Sequence, residues 1–127
     1  MNANALLCGA VAGLFSMSVF AATPANEVSF KNDVQPVFND YCVSCHSPGG
    51  KGYETNGLDL RSYQGVMKGT KFGSVIKPND SFTSILVQAI EGRVHISIKM
   101  PYGMSGGLAK DKIALVKKWV DQGARDN

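Results

Sequence analysis

The sequence predicts an all-α domain, and three observations support this fold class. Four segments space their apolar residues at intervals of three and four, as in amphipathic helices. Glycine and proline separate these segments, and no alternating strand pattern appears apart from the brief "VHISI" at 94–98. The 127 residues contain no repeat and fit one globular domain. We therefore expect three to five short helices around a single core.

The N-terminal segment has the character of a secretory signal peptide. No charged side chain precedes Glu27, and the small residues Ala21 and Ala22 allow cleavage after either one. A basic n-region is missing, and the alternative is a retained membrane anchor over Ala5–Ala22. The small residues favour cleavage. We predict a signal peptide at 1–22, a short linker at 23–29, a single domain at 30–127, and export to the periplasm.

The first helix is predicted in "NDVQPVFNDYC" at 32–42. Asn32 or Asp33 is its expected N-cap, and Pro36 falls in the first turn, where proline is tolerated. The following "SPGGKGYETNG" at 47–57 contains a proline and four glycines, so we expect an irregular loop there.

Three further helices are predicted, at 60–69, 81–92 and 109–123. The second has Asp80 or Ser81 as its expected cap and Gly92 as its stop. Between it and the last helix, "HISIKMPYGMSGG" indicates extended chain and loop. The apolar positions expected to face the core in these last two helices are Phe82, Ile85, Leu86, Ala89, Ile90, Ile113, Val116, Trp119 and Val120.

The stretch "CVSCH", Cys42 to His46, carries the chemistry of the chain. A structural zinc site would need two further ligands, and only the histidines His46 and His95 remain as soft candidates once Cys8 leaves with the signal peptide. A thioredoxin-like redox pair lies in a βαβ pattern, which is absent here. That interpretation also gives His46 no function. Covalent haem c uses every residue, because the two thiols add to the two vinyl groups and His46 ligates the iron. We predict one haem c attached through Cys42 and Cys45.

The second axial ligand has several candidates. Met100 precedes Pro101, which keeps it out of a helical conformation and fixes the chain direction, so we favour Met100. His95 would give bis-histidine ligation and a lower potential. Met104 lies in a glycine-rich stretch, Met67 is better explained as core filler, and an open sixth position is the remaining alternative.

Charge gives a weaker indication of partners. The net charge of +3 is spread without a basic block beyond Lys117 and Lys118, so nothing indicates nucleic acid. Lysines of the last helix could steer an acidic redox partner: Lys110, Lys112, Lys117 and Lys118. No stable membrane insertion is expected after signal cleavage, and the sequence leaves the oligomeric state open.

Five segments together resemble a known family: "DVQPVFNDYCVSCHS", "GLDLRSY", "KPNDSFTSIL", "KMPYG" and "IALVKKWVDQGA". They are similar to the Planctomycete-type cytochrome c domain, a branch of the class I cytochrome c fold, from about Phe30 to Ala124. The resemblance implies that the first and last helices cross, that His46 and Met100 ligate the haem iron, and that Leu58 and Leu60 line the haem. It also implies that Trp119 packs the terminal helix.

The chain departs from that family pattern in three places. Tyr102 stands where the family usually has a second proline after the methionine, so we expect a less rigid ligand loop. Asn79 replaces a turn glycine and tolerates positive φ better than most residues. Ala109 stands at the start of the last helix and cannot cap it with a side chain.

These observations lead to one favoured function and two alternatives. The favoured one is a monohaem electron carrier, not an enzyme, that exchanges single electrons with a protein donor and acceptor. The alternatives are a haem enzyme or gas sensor with an open sixth site, and a cytochrome subunit of a larger redox complex. Because the core is small for a domain of this length, we also expect the haem-free chain to be largely unfolded.

Overall fold

The computed structural model describes residues 26–127, and the predicted signal peptide with Cys8 lies outside this range. Within it the chain is helical and contains no strand, which confirms the all-α class. A π-helical turn at Phe30–Val34 leads directly into the first α-helix, and a 3-10 turn at Ile96–Ile98 stands where "VHISI" gave the only strand pattern. The α-helices are α1 (Gln35–Tyr41), α2 (Lys51–Asn56), α3 (Tyr63–Lys68), α4 (Ile85–Glu91) and α5 (Lys110–Asp121).

The first helical segment begins earlier than predicted. Its cap is Ser29, whose Oγ accepts a hydrogen bond from the N–H of Asn32 at 3.1 Å, and neither Asn32 nor Asp33 is the cap. Asp33 instead reaches back and accepts from the N–H of Ser29 at 2.8 Å. This reciprocal pair satisfies two backbone donors and explains the earlier start. Pro36 lies in the first turn of α1, as predicted.

Helix α2 replaces the irregular loop that was predicted at 47–57. Its sequence has no apolar stripe, so periodicity could not identify it. A hydrogen bond to a residue outside the helix stabilises it, because the N–H of Tyr53 donates to the carbonyl of Cys45 at 2.9 Å. Gly57 ends it in the left-handed conformation with a φ of 79°.

Helix α4 starts three to four residues later than predicted. Its N-cap is Ser84, whereas Asp80 closes the preceding turn by accepting from the N–H of Thr83 at 3.0 Å. Phe82 is consequently outside the helix and 73% exposed, so its predicted place in the core is wrong. Gly92 ends the helix in the left-handed conformation, as predicted.

The core joins the two ends of the described chain. Phe30 packs its ring against those of Tyr63 and Trp119, with centroids 5.3 and 5.2 Å away. Trp119 is buried in α5 and donates its indole N–H to the carbonyl of Arg125 at 2.9 Å. Since the rings of Phe30 and Trp119 are in contact, the first helical segment meets the last helix as the family resemblance implies.

The segment before Phe30 is also tied to the C-terminal residues. Val28 is buried and donates its N–H to the side chain of Gln122 at 2.8 Å. The side chain of Asn127 accepts from the N–H of Phe30 at 2.8 Å. These bonds join the N-terminal and C-terminal segments of the described chain.

Candidate haem-binding site

A cavity of about 470 Å³ opens between α1, α2, α4 and the segments that connect them. Its size falls in the range of about 300–1,000 Å³ that is typical of ligand and cofactor sites. Most of its wall is apolar. Its apolar lining residues are Phe38, Tyr41, Leu58, Leu60, Phe72, Val75, Ile85, Leu86, Ala89, Ile90 and Ile98.

The two cysteines reach this cavity from the end of α1. Cys42 is the C-cap of α1 and donates its N–H to the carbonyl of Phe38 at 2.9 Å. Its own carbonyl accepts from Cys45 at 3.1 Å and from His46 at 2.9 Å. This tight turn brings both thiols and the imidazole to one wall. Both thiols are free, and burial raises the pKa of Cys42 from 9.0 to about 11, with a smaller contribution from Cys45.

His46 is buried and fixed through its backbone on both sides. Its N–H is bonded to Cys42, and its carbonyl accepts from the N–H of Leu60 at 2.9 Å. The imidazole Nδ1 is buried without a hydrogen-bond partner. Burial lowers the pKa of His46. A contact with the Leu58 backbone has the opposite, smaller effect on this pKa, although its geometry is not that of an ordinary hydrogen bond. The lowered pKa favours the neutral imidazole, which is the form that ligates metals.

Met100 approaches the same cavity from the loop after the 3-10 turn. Its N–H donates to the carbonyl of Ala89 in α4 at 3.0 Å. Met100 also lines a smaller adjoining cavity of about 290 Å³, together with Cys45 and His46. The four residues predicted from the sequence to bind the cofactor, Cys42, Cys45, His46 and Met100, are thus brought together.

The competing axial residues lie elsewhere. His95 is exposed, its Nδ1 lies 2.9 Å from the Oγ of Ser97, and it lines neither cavity. Met104 is exposed and Met67 packs against the core, and neither lines either of the two cavities described above. Among the described residues, Met100 is therefore the methionine that shares a cavity with His46.

Part of the site could not be identified from the sequence. The segment 70–75 forms one wall through Thr70, Phe72, Gly73, Ser74 and Val75. The only sequence signal there is a pair of apolar residues in a stretch without helical periodicity. Leu58 and Leu60 line the cavity as the resemblance implies.

The donor set suits haem c better than a zinc ion. Within residues 26–127 no group of three or more His, Cys, Asp or Glu side chains is arranged to hold a metal ion. A structural zinc site needs four such ligands. In contrast, a large apolar cavity that carries two thiols, one neutral imidazole and one thioether matches the needs of an apolar macrocycle with an iron centre.

The lysines of α5 are not at the cavity. No residue of α5 lines either cavity. Lys117 forms an ion pair with Glu91 at 2.6 Å, and Lys118 hydrogen-bonds the side chain of Asn26. The lysine that does line the smaller cavity is Lys51, at the start of α2.

Comparison with known proteins agrees with this site. Within residues 26–127, no helix is both long and apolar enough to cross a membrane. No curated protein and no solved structure matches the chain. Residues 42–101 match the model of a family described as Planctomycete cytochrome C, whose domains are typically exported, and this match spans the CVSCH turn, Met100 and most of the residues that line the two cavities. This match is consistent with a c-type cytochrome domain of the Planctomycete cytochrome C type in this chain.

Proposed function

We propose that this protein is a periplasmic monohaem c-type cytochrome that carries single electrons between a protein donor and a protein acceptor. The observation that supports this most is the convergence of Cys42, Cys45, His46 and Met100 on one apolar cavity. Bound haem supplies the one-electron Fe(III)/Fe(II) couple at this site.

The residues of the CVSCH turn hold and orient the group. The thiols of Cys42 and Cys45 would hold bound haem through thioether bonds to its two vinyl groups. The backbone bonds from His46 to Cys42 and from Leu60 to His46 fix the position of the imidazole relative to those thiols. The covalent attachment and the first axial ligand thus come from five consecutive residues, Cys42 to His46, whose geometry is set by the C-terminal end of α1.

Met100 supplies the second axial ligand from a separate part of the chain. A thioether is a soft ligand that favours Fe(II), so methionine–histidine ligation raises the potential relative to bis-histidine ligation. The apolar walls exclude water from the site, which limits the solvent reorganisation that accompanies a change of charge. We propose that the protein is not an enzyme, because two protein ligands leave the iron no position for substrate.

Absorption spectra of the exported holoprotein test this proposal. The protein is matured in an oxidising compartment and measured as the ferric form, the ferrous form, and the ferrous form under carbon monoxide. A sulfur-to-iron charge-transfer band in the ferric spectrum and no response to carbon monoxide are expected. Prompt binding of carbon monoxide by the wild-type protein would overturn methionine ligation and favour an enzyme or a gas sensor.

A further inference from the structure

Gly52 lies directly against the imidazole of His46. A Cβ atom placed on Gly52 would be 2.7 Å from Cε1 of His46 and 3.0 Å from each ring nitrogen. Contacts below 3.0 Å are essentially never made by real Cβ atoms. The equal distances to Nδ1 and Nε2 centre the contact on the carbon between the two nitrogens.

The backbone of Gly52 does not itself require glycine. The residue lies in the first turn of α2, and its φ is outside the left-handed region. Glycine is a poor helix former, so alanine would ordinarily be the better residue at such a position. The close approach of the His46 ring is the feature that accounts for glycine here.

The His46 ring has few other restraints on its rotation. Its backbone is held by hydrogen bonds to Cys42 and Leu60, so the residue cannot retreat from α2 as a whole. Its Nδ1 makes no hydrogen bond of ordinary geometry, and the Leu58 backbone is the polar group that acts on the ring. Packing therefore contributes to the orientation of the ring, and Gly52 presents a surface against the ring where a side chain would collide with it.

We propose that Gly52 is a positioning residue that sets the orientation of the His46 imidazole plane at the haem iron. The inference rests on the proposed function, in which His46 is an axial ligand. The plane of an axial imidazole determines which iron d orbitals it overlaps, and hence the magnetic anisotropy of the ferric ion. A methyl group at position 52 turns the ring to a new angle without removing the ligand.

The test compares ferric holoproteins by electron paramagnetic resonance and by the proton shifts of the haem methyl groups. The variants are Gly52→Ala and, as the control on the same helix, Tyr53→Phe, which removes a hydroxyl at a residue that lines neither cavity. Gly52→Ala is expected to keep the absorption spectrum of the wild type but to change the g values and the order or spread of the methyl shifts. Tyr53→Phe is expected to match the wild type in both. Unchanged magnetic spectra in Gly52→Ala would overturn the proposal.

A second measurement covers the case in which Gly52→Ala yields no holoprotein. In the ferrous wild type, which is diamagnetic when both ligands are bound, nuclear Overhauser contacts are expected between the Gly52 α protons and the His46 ring proton on Cε1. Their absence would overturn the proposal. If the absorption spectrum of the wild type shows no methionine–histidine ligation, the proposed function has failed. If the wild type shows that ligation and Gly52→Ala leaves the magnetic spectra unaltered, only the proposal about Gly52 has failed.

Discussion

The N–H of Met100 donates a 3.0 Å hydrogen bond to the carbonyl of Ala89, near the C-terminal end of α4. Ala89 and two neighbouring residues of the same helix, Leu86 and Ile90, line the cavity. The loop that carries Met100 is thus attached to a wall of the site. This attachment holds the loop against the cavity although Tyr102 stands where the resemblance implies a proline.

Replacing Met100 by alanine should open the sixth coordination position. The hydrogen bond to Ala89 involves only the backbone, so the loop is expected to keep its place while the thioether is lost. The ferric charge-transfer band should disappear, and the ferrous protein should bind carbon monoxide. Met104→Ala is the matched control, because Met104 lies four residues further along and lines no cavity. If Met100→Ala left the spectrum unchanged, Met100 would not be the ligand.

The haem-free chain should be largely unfolded. Without haem, the apolar walls of the 470 Å³ cavity are exposed to water, which removes part of the apolar burial that stabilises the fold. A typical domain is stable by only about 5–15 kcal/mol, so a small domain has little stability to lose. A Cys42→Ser, Cys45→Ser double variant cannot attach haem covalently, and its far-ultraviolet circular dichroism should show little helix and no cooperative melting. A native-like melt of that variant would contradict the prediction.

The parts of the site that were predicted are those that short stretches of sequence encode. Cys42, Cys45 and His46 fall within five residues, and Pro101 marks Met100 as a residue outside a helix. The structure brings these four side chains to one cavity, and their roles as ligands stay predictions. The wall at 70–75 was not predicted, because its apolar residues follow no helical or strand period.

The errors in the fold have physical causes of the same kind. Helix α2 depends on the hydrogen bond from Tyr53 to Cys45, which joins residues eight positions apart and leaves no trace in hydrophobic periodicity. Phe82 matched an apolar stripe, but Asp80 and Thr83 form a turn that delays the start of α4. In both places hydrogen bonds of the tertiary structure or of a turn determined the local structure, and the spacing of apolar residues did not.

Asn79 should be replaceable by glycine but not by alanine. It has a φ of 66° and donates its N–H to the carbonyl of Val120 in α5 at 2.8 Å. A residue with a Cβ but no short polar group loses roughly 1–2 kcal/mol in the left-handed conformation. Denaturant unfolding of the holoproteins should therefore show Asn79→Ala less stable by about that amount, with Asn79→Gly close to the wild type. Equal stability of the two variants would show that the turn relaxes to a negative φ.

The ion pair between Glu91 and Lys117 should make a pH-dependent contribution to stability. Hydrogen bonding from Lys117 is the main reason that the pKa of Glu91 lies below its ordinary value of 4.5. A lowered pKa means that the folded state binds fewer protons, so the contribution is present above pH 4.5 and is lost as the pH falls through the folded-state pKa. For a pair with a partly exposed lysine, about 0.2–1 kcal/mol is expected.

Glu91→Gln removes the charge that pairs with both Lys117 and Arg93, so it measures their joint contribution. Its free energy of unfolding should be lower than that of the wild type at neutral pH, and the two should converge in acid. Asp111→Asn is the control, since Asp111 meets Lys112 in an exposed pair at 3.5 Å and its loss should change little. A difference between Glu91→Gln and the wild type that persists unchanged at low pH would mean that packing, not charge, accounts for it.

Lys51 should influence electron exchange with anionic reagents more than the lysines of α5 do. Lys51 lines the smaller cavity beside Cys45 and His46, whereas no residue of α5 lines either cavity. Oxidation of the ferrous holoprotein by ferricyanide should be slowed roughly severalfold in Lys51→Glu at low ionic strength, because a negative charge beside the site repels the reagent. Lys110→Glu makes the same change in net charge on α5, so its smaller effect separates local charge from net charge. Added salt should bring all three rates together, since exposed charges are screened beyond about 10 Å at 0.1 M. Equal slowing in both variants would place electron exchange away from the cavity that Lys51 borders.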